Sequence, residues 1–377
     1  MSETRDQGAP VSGDRRLAPA RPRSRDDGPI KLTFVINDIR TEKANFTTTR
    51  LARRAIERGH EVSLVSLVDF TYEPDETISA LASRPRRDAY EDDAALIGDL
   101  QAGDAEPVKI SITEQDVMLL RADPADELVA RPWAPNSGLL FSQLAAKQGV
   151  IVLNDPTHLT DASNKTYFQH FPEAVRPVTC ITRDPGEIKA FIEAQGGKAV
   201  IKPLQGSGGQ GVFVITPETA MNLNVAIETT VKEGYAIVQE YLPEAANGDL
   251  RLITLNGVPL KVDGTYCCMR RFNESDDGRS NFSAGGQIEV GEVGEDALRM
   301  AEICRPKLIR DGMYLAGLDI VGDKMMEVNV DTPGGVNLTE DMTGVNFSGA
   351  IIDDMEAKVR LRRHYKGRLP NASLAVM

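Results

Sequence analysis

The chain of 377 residues is poor in the residues that build disulfide scaffolds and zinc centres. Its four cysteines, Cys180, Cys267, Cys268 and Cys304, include an adjacent pair and show no C-x-x-C spacing, so neither a disulfide framework nor a zinc corner is indicated. The four histidines, His60, His158, His170 and His364, form no H-E-x-x-H pattern and read as surface or packing residues. No apolar run reaches the length of a membrane span. Residues 1–29 are rich in Arg, Pro, Asp and Gly and lack the apolar stretch of a secretory signal. A disordered arm is expected there, and the cytoplasm is the expected compartment. Heptads and internal repeats are missing as well, which removes coiled-coil and repeat architectures. The net charge of −13 argues against a general nucleic-acid surface, while a few Lys and Arg can still hold a small phosphorylated ligand.

With 41% hydrophobic and 26% charged residues, the chain has the composition of a soluble globular protein of two or three domains. The run from Ile30 to Ile36 reads as a buried strand, Ala44 to Arg58 as a helix and Val62 to Val68 as a second strand, which together make a βαβ opening. The acidic stretch from Asp69 to Glu106 shows few strand-like runs and is expected to be an insertion or a mobile loop region. Strands at Val117 to Leu120 and Val150 to Leu153 flank a helix around Leu139 to Lys147, so the first domain is expected to be parallel α/β. From about Val178 the pattern changes to paired strands with Gly-rich turns and helices, as in an α+β unit. The segment from Gly344 to Lys366 has helical spacing, followed by a short tail.

Two clusters carry chemistry. In the stretch from Gly317 to Val330, Asp319, Glu327 and Asn329 alternate with apolar neighbours on two adjacent strands, so Glu327 and Asn329 share one face. Hard oxygen donors without His or Cys suit Mg²⁺, whose shell is often completed by substrate phosphates. A hairpin edge with solvated acids would look similar. The second cluster, Gly206-Ser207-Gly208-Gly209-Gln210-Gly211, satisfies G-x-G-x-x-G. It lies between two strand-like runs, Lys198 to Leu204 and Val212 to Ile215, rather than before a helix. A Gly-rich hairpin folded over phosphates is therefore expected in place of a dinucleotide fingerprint. Lys202 interrupts an apolar strand, where a lysine needs an anion. Tyr235 to Pro243 reads as a strand running into a bend that could border an adenine. Asp249 and Arg251 share one strand face, either in a site or in a surface ion pair. The loop from Arg270 through Gly286 is polar and could close over an anionic intermediate, or be only mobile.

Taken in order, these blocks resemble the ATP-grasp superfamily, and within it the bacterial glutathione synthetases, from Ile30 to about Lys358. The motifs that carry the resemblance are Ile201-Lys202-Pro203-Leu204 with its Gly loop, Gln239 to Pro243, Gly248 to Arg251, Arg279 to Gly286, and Gly317 to Ile320 with Glu327 to Val330. The fold it implies has a disordered arm (1–29), an N-terminal substrate-binding α/β domain (30–154), a central ATP-grasp subdomain (155–240), a C-terminal ATP-grasp subdomain (241–366) and a tail (367–377).

In that resemblance Lys165 and Lys202 hold ATP phosphates and Gly206, Ser207, Gly208, Gly209 and Gly211 form the loop over them. Gln239, Glu240, Tyr241 and Leu242 border the adenine, with Asp249 and Arg251 beside the nucleotide. Asp319, Glu327 and Asn329 coordinate Mg²⁺, with Mn²⁺ as a substitute. Arg271, Arg279 and Asn281 contact the phosphoryl group, with Arg270 a lesser candidate. Arg121, in Leu120-Arg121-Ala122-Asp123-Pro124, lies near the dipeptide, together with Gly334 and Gly335. The activity implied is an ATP-dependent carboxylate–amine ligase joining γ-glutamylcysteine to glycine through an acyl phosphate, with no nucleic-acid or membrane partner and a homo-oligomeric assembly. Gln205 and the segment Asp331-Thr332-Pro333 depart from the family pattern near the substrate, so a related ligase with another dipeptide or amine is the alternative. A nicotinamide oxidoreductase would require a helix after Gly211, and a non-catalytic nucleotide-binding relative would have no use for all three metal-type residues.

Overall fold

The computed structural model describes residues 28–103, 105–127, 129–162, 164–204, 211–273 and 286–377. The first unit opens with β1 (Lys31–Ile36), α1 (Thr47–Glu57), β2 (Glu61–Tyr72), β3 (Ile78–Ser83), α2 (Asp93–Leu100), β4 (Val108–Ser111), β5 (Val117–Leu120), α3 (Ala134–Lys147), β6 (Ile151–Leu153) and the short α4 (Pro156–Asp161). The six strands run in the order β4-β3-β2-β1-β5-β6. β1, β2, β5 and β6 are parallel, as the buried apolar runs predict, and α1 covers them with Leu51, Ala52, Ala55 and Ile56.

The stretch from Asp69 to Glu106 corrects the expectation of a loop region. β2 continues to Tyr72, pairs antiparallel with β3, and β3 pairs antiparallel with β4, so the sheet is mixed. Ile78, Ala80 and Ala82 are buried on one face with period 2. The acidity that suggested a loop is partly internal. Asp93, at the start of α2, is buried and accepts hydrogen bonds from Arg50 (2.7 Å) and Arg53 (2.6 Å) of α1. Asp99 accepts from Arg86.

The second sheet comprises β7 (Thr179–Thr182), β8 (Ala199–Pro203), β9 (Phe213–Ile215) and β10 (Ala236–Glu240), in the order β7-β10-β8-β9, with helices α5 (Pro185–Ala194) and α6 (Leu223–Glu233). All its pairings are antiparallel. It has a core of its own in which Ile188, Ile192, Ile201, Ile215, Ile227 and Val238 meet. β9 follows directly after Gly211, which removes the helix that a dinucleotide loop would need.

The third sheet is built from β11 (Asp249–Leu255), the short β12 (Val258–Pro259), β15 (Cys268–Phe272), β16 (Gln287–Val290), β17 (Leu315–Val321) and β18 (Lys324–Asn329), ordered β16-β15-β11-β17-β18 with β12 on β11. Between β12 and β15 lies a two-stranded ribbon, β13 (Lys261–Val262) and β14 (Thr265–Tyr266). α7 (Glu295–Arg310) packs on this sheet through Met300, Ala301, Cys304 and Leu308. The chain then returns to the first unit through α8 (Val336–Thr343), α9 (Phe347–His364) and α10 (Asn371–Leu374).

The joint between first and third sheets combines a shared apolar core, in which Phe34, Leu51, Leu315, Val336 and Ile351 meet, with a set of polar contacts. Asn154 donates to the carbonyls of Leu315 (2.9 Å) and Val330 (2.6 Å) and accepts from the Leu315 N–H (2.8 Å). Arg50 of α1 also reaches Glu340 (2.8 Å) and Asp341 (2.9 Å) of α8. The first and third sheets thus form one body, and the second sheet stands on its own core.

Gly248 is a required residue in this frame. Its φ is +95°, and a Cβ there would lie 2.1 Å from the Arg271 carbonyl oxygen, inside the β11–β15 pairing. Gly248→Ala is expected to lower stability by about 2–4 kcal/mol, from backbone strain and overlap together, as read by urea unfolding.

Candidate active site

Cross-strand register assembles the first half of the site. On β11, β15 and β17 the aligned pairs are Asp249 with Arg271 and Arg251 with Asp319, and Asp319 aligns with Glu327 of β18. Arg251 grips Asp319 with two parallel hydrogen bonds of 2.7 and 2.6 Å. Arg271 lies 2.8 Å from the same carboxylate and also donates to Asp249. The Asn329 amide adds a third donor to Asp319 at 3.1 Å. Burial would raise the Asp319 carboxyl, but Arg251 and Arg271 hold it down at about 2. Arg271 is correspondingly held above the ordinary arginine value: burial opposes its charge, and Asp319 and Asp249 more than restore it.

The second sheet faces this network with lysines. On β8 the residues Ala199, Ile201 and Pro203 enter the core, which turns Lys202 the other way. There its Nζ donates to the Gln239 side chain of β10 at 3.0 Å. Lys165 starts a short 3₁₀ turn, Lys165–His170, whose first N–H bonds the Leu204 carbonyl just past β8. Burial lowers the pKa of both lysines, Lys202 to about 8, and Glu327 pulls in the opposite direction. Two ammonium groups placed at the edge of a cleft, close enough to disfavour each other, suit a polyanion.

The first unit closes the far end. Arg121 follows β5 and is 5% exposed; its guanidinium donates to Thr48 Oγ1 (3.1 Å) and to the Pro333 carbonyl (3.0 Å). Burial lowers Arg121 to about 10, with Glu42 opposing. Asp331 is pushed up to about 8 by burial, with the Asp123 charge adding to it. Gly335 adopts φ +114°, which strains any other residue, and a Cβ there would also have to displace the Met269 methyl of β15. The three walls enclose a cleft of about 800 Å³ that includes Arg121, Lys165, Lys202, Arg251, Arg271 and Glu327 in its lining.

Residues 30–160 match the family described as prokaryotic glutathione synthetase, N-terminal domain, and residues 164–344 match its ATP-grasp domain. The chain belongs to the prokaryotic glutathione synthetase family. A glutathione synthetase from Vibrio parahaemolyticus is 32% identical over 255 residues, covering 67% of this chain and 76% of that protein. One from Gloeobacter violaceus is 30% identical over 334 residues, covering 86% of this chain and 96% of that protein. The solved structure of the ATP-grasp ligase PsnB, complexed with minimal precursor, Mg and ADP, superposes with a TM-score of 0.52 at 17% identity, covering 87% of this chain and 98% of that one. The chain is therefore an enzyme of the ATP-grasp ligase class with an N-terminal glutathione synthetase domain, and its fold is the mixed α/β architecture described above. ATP with Mg²⁺ is the cofactor pair of that class. Among the described residues no helix is long and apolar enough to cross a membrane.

Within this glutathione synthetase family member, Arg121, Lys165, Lys202, Gln239, Arg251, Arg271, Glu327, Asn329, Gly334 and Gly335 all line the cleft. Asp249 and Asp319 lie behind the arginines, almost wholly buried. Glu240, Tyr241 and Leu242 continue from β10 outside the lining; Glu240 accepts the Val178 N–H at 3.0 Å. Gly211 is described, with φ +70°. Gly206, Ser207, Gly208, Gly209, Arg279 and Asn281 lie outside the described residues. Sequence reasoning missed Glu42, Asn337 and Thr48, which also line the cleft; nothing in their local spacing marks them.

Glu327 and Asn329 offer hard oxygens on the cleft wall with no His or Cys in its lining, a donor type that suits Mg²⁺. Among the described residues, however, no three His, Cys, Asp or Glu side chains gather as a metal cluster. Asp319 has its oxygens engaged by Arg251, Arg271 and Asn329, so it meets a cation only where an arginine yields.

Lys202 gives a pH prediction. A phosphate held by Lys202 would need its protonated form, and that form is lost as pH rises through about 8. Affinity for Mg·ATP should therefore weaken above that pH, approaching about tenfold per unit, with net proton uptake on binding when calorimetry is run in buffers of different ionisation enthalpy.

Proposed function

We propose that the protein joins the cysteinyl carboxylate of γ-glutamylcysteine to the amine of glycine, with conversion of ATP to ADP and phosphate. The carboxylate oxygen attacks the γ-phosphorus, the bond to ADP breaks, and ADP leaves with the electron pair. The glycine amine then attacks the acyl carbon, loses a proton, and phosphate departs. The observation that carries this reading is the single cleft in which Lys165 and Lys202, Glu327 and Asn329, and Arg121 stand on three separate walls. Its volume suits a nucleotide and a peptide side by side.

Lys165 and Lys202 hold the β- and γ-phosphates in this reading, Gln239 stands on the cleft wall beside them, and Glu240 to Leu242 would border the adenine only where the nucleotide extends beyond that lining. Arg251 and Arg271 are aimed at the charge carried by the transferred group, already ordered by Asp319 and Asp249, so little reorganisation is needed. Glu327 and Asn329, with Asp319 behind them, would hold Mg²⁺, and Mn²⁺ could replace it. When bound, the ion neutralises phosphate charge and polarises the γ-phosphoryl group. Enclosure between the walls keeps water from the activated acyl group. Residues 30–154 serve as the substrate domain, 155–240 and 241–366 as the two ATP-grasp subdomains, in a cytoplasmic homo-oligomer.

Asp331 favours a second reading of the amine alone, because a half-buried carboxyl on the cleft wall lies where the resemblance implies the substrate carboxylate or amine. Phosphate release with γ-glutamylcysteine, measured with and without glycine and across a panel of amines, decides between them. Glycine-dependent release supports the proposal; strong release with another amine and none with glycine moves the assignment to that acceptor.

A further inference from the structure

Glu42 lies between the 3₁₀ turn Ile39–Thr41 and α1, on a loop held from the end of α2. Gln101 Nε2 donates to the carbonyls of Ile39 (2.6 Å) and Glu42 (2.9 Å), and Asp38 caps the turn through the Arg40 N–H. This backbone is fixed, and it turns the Glu42 side chain into the cleft wall. The residue is 7% exposed, and its Oε1 is enclosed with no hydrogen-bond partner among the described residues. An unpartnered buried carboxylate costs free energy in the empty protein. Burial pushes its carboxyl up to about 7, with Arg121 pulling the other way.

Arg121 is the complement. It is buried at the same end of the cleft, its guanidinium donates to a hydroxyl and a carbonyl, and no ion pair within 4 Å joins it to Glu42 or to any other described carboxylate. One carboxylate without a donor and one guanidinium without an acid thus face a shared space. Separated opposite charges at a closed cleft end match the free head of an amino acid, which carries an ammonium and a carboxylate on one carbon.

We infer that Glu42 is a specificity-determining residue that binds the α-ammonium of the substrate's γ-linked glutamyl residue, with Arg121 on its α-carboxylate. The inference rests on the proposed function, in which Arg121 meets the dipeptide. It adds a reason for the γ-linkage: only a side-chain amide leaves both α-groups free for this pair. Peptides joined through the α-carboxylate lack the group Arg121 reads, and N-acylated ones lack the group Glu42 reads.

The test uses the full chain with Mg·ATP and glycine, and compares γ-glutamylcysteine with glutarylcysteine, which differs only by loss of the α-ammonium. In the wild type, kcat/KM should fall about 30-fold on the analogue, the order of one charge-assisted hydrogen bond. In Glu42→Gln, γ-glutamylcysteine should lose a similar factor, seen in its KM and not in the KM for ATP, and discrimination between the two substrates should shrink to within about threefold. The variant is isosteric and removes a buried unpartnered charge, so its melting temperature should equal or exceed that of the wild type. Wild-type discrimination in Glu42→Gln, or equal loss on both substrates, overturns the role of Glu42 and leaves the proposed reaction standing. No turnover of γ-glutamylcysteine by the wild type overturns the reaction and the inference together.

Discussion

Glu327→Gln is expected to reduce turnover about a thousandfold while leaving the fold intact. Glu327 is half-buried on β18, opposite Asp319 in register, and its carboxylate lies in the field of Lys165 and Lys202. The substitution keeps shape and removes one negative charge and one hard oxygen donor. Packing is unchanged, so unfolding free energy should move by less than about 1 kcal/mol. Steady-state kinetics with a parallel urea titration separates the two effects. The loss should be partly recovered by raising Mg²⁺ if the ion's affinity is what fell, whereas near-normal activity would remove Glu327 from the reaction.

Asp319→Ala should act on stability as much as on activity. The change strands Arg251 and leaves Arg271 with Asp249 alone, on the protein interior side of the cleft. Removing one partner from a buried ion network costs about 3–5 kcal/mol because the remaining charges stay desolvated. A fall in melting temperature of about 5 °C is expected for a chain of this size. Asp319→Asn, which keeps the volume and some hydrogen bonding, should lose less stability and equally little activity should remain. The pH dependence follows the sign of the shift. The folded carboxyl is held at about 2, below the ordinary 3.8, so its contribution is present above about pH 4 and is lost as pH falls toward 2. Asp319→Asn removes that component of acid unfolding, which circular dichroism across this pH range would read.

How much of this could be read in the chain depends on distance along it. β1, β5 and β8 were legible because buried apolar runs report a sheet directly, and Lys202 stood out because it breaks one of those runs. Glu327 and Asn329 were legible as a pair because period 2 places them on one face of β18. The hairpin and helix between Asp69 and Glu106 were not, because the acidity of the stretch does not show that Asp93 is neutralised by Arg50 and Arg53 of α1 and Asp99 by Arg86 within the stretch itself. The Arg251–Asp319 and Arg271–Asp249 pairings depend on strand register, which spacing within a strand does not encode. Glu42 is the extreme case. It lies in a loop with no periodicity, and its meaning comes from Arg121, which a different strand delivers to the same space.

The central claim is that ATP activates a carboxylate by direct phosphoryl transfer. Its most direct test is isotopic: γ-glutamylcysteine labelled with ¹⁸O in the cysteinyl carboxylate, turned over with Mg·ATP and glycine. One labelled oxygen should pass into the released inorganic phosphate at each turnover, leaving the peptide as the amide. Label found in AMP, or absent from phosphate while peptide forms, would contradict the account.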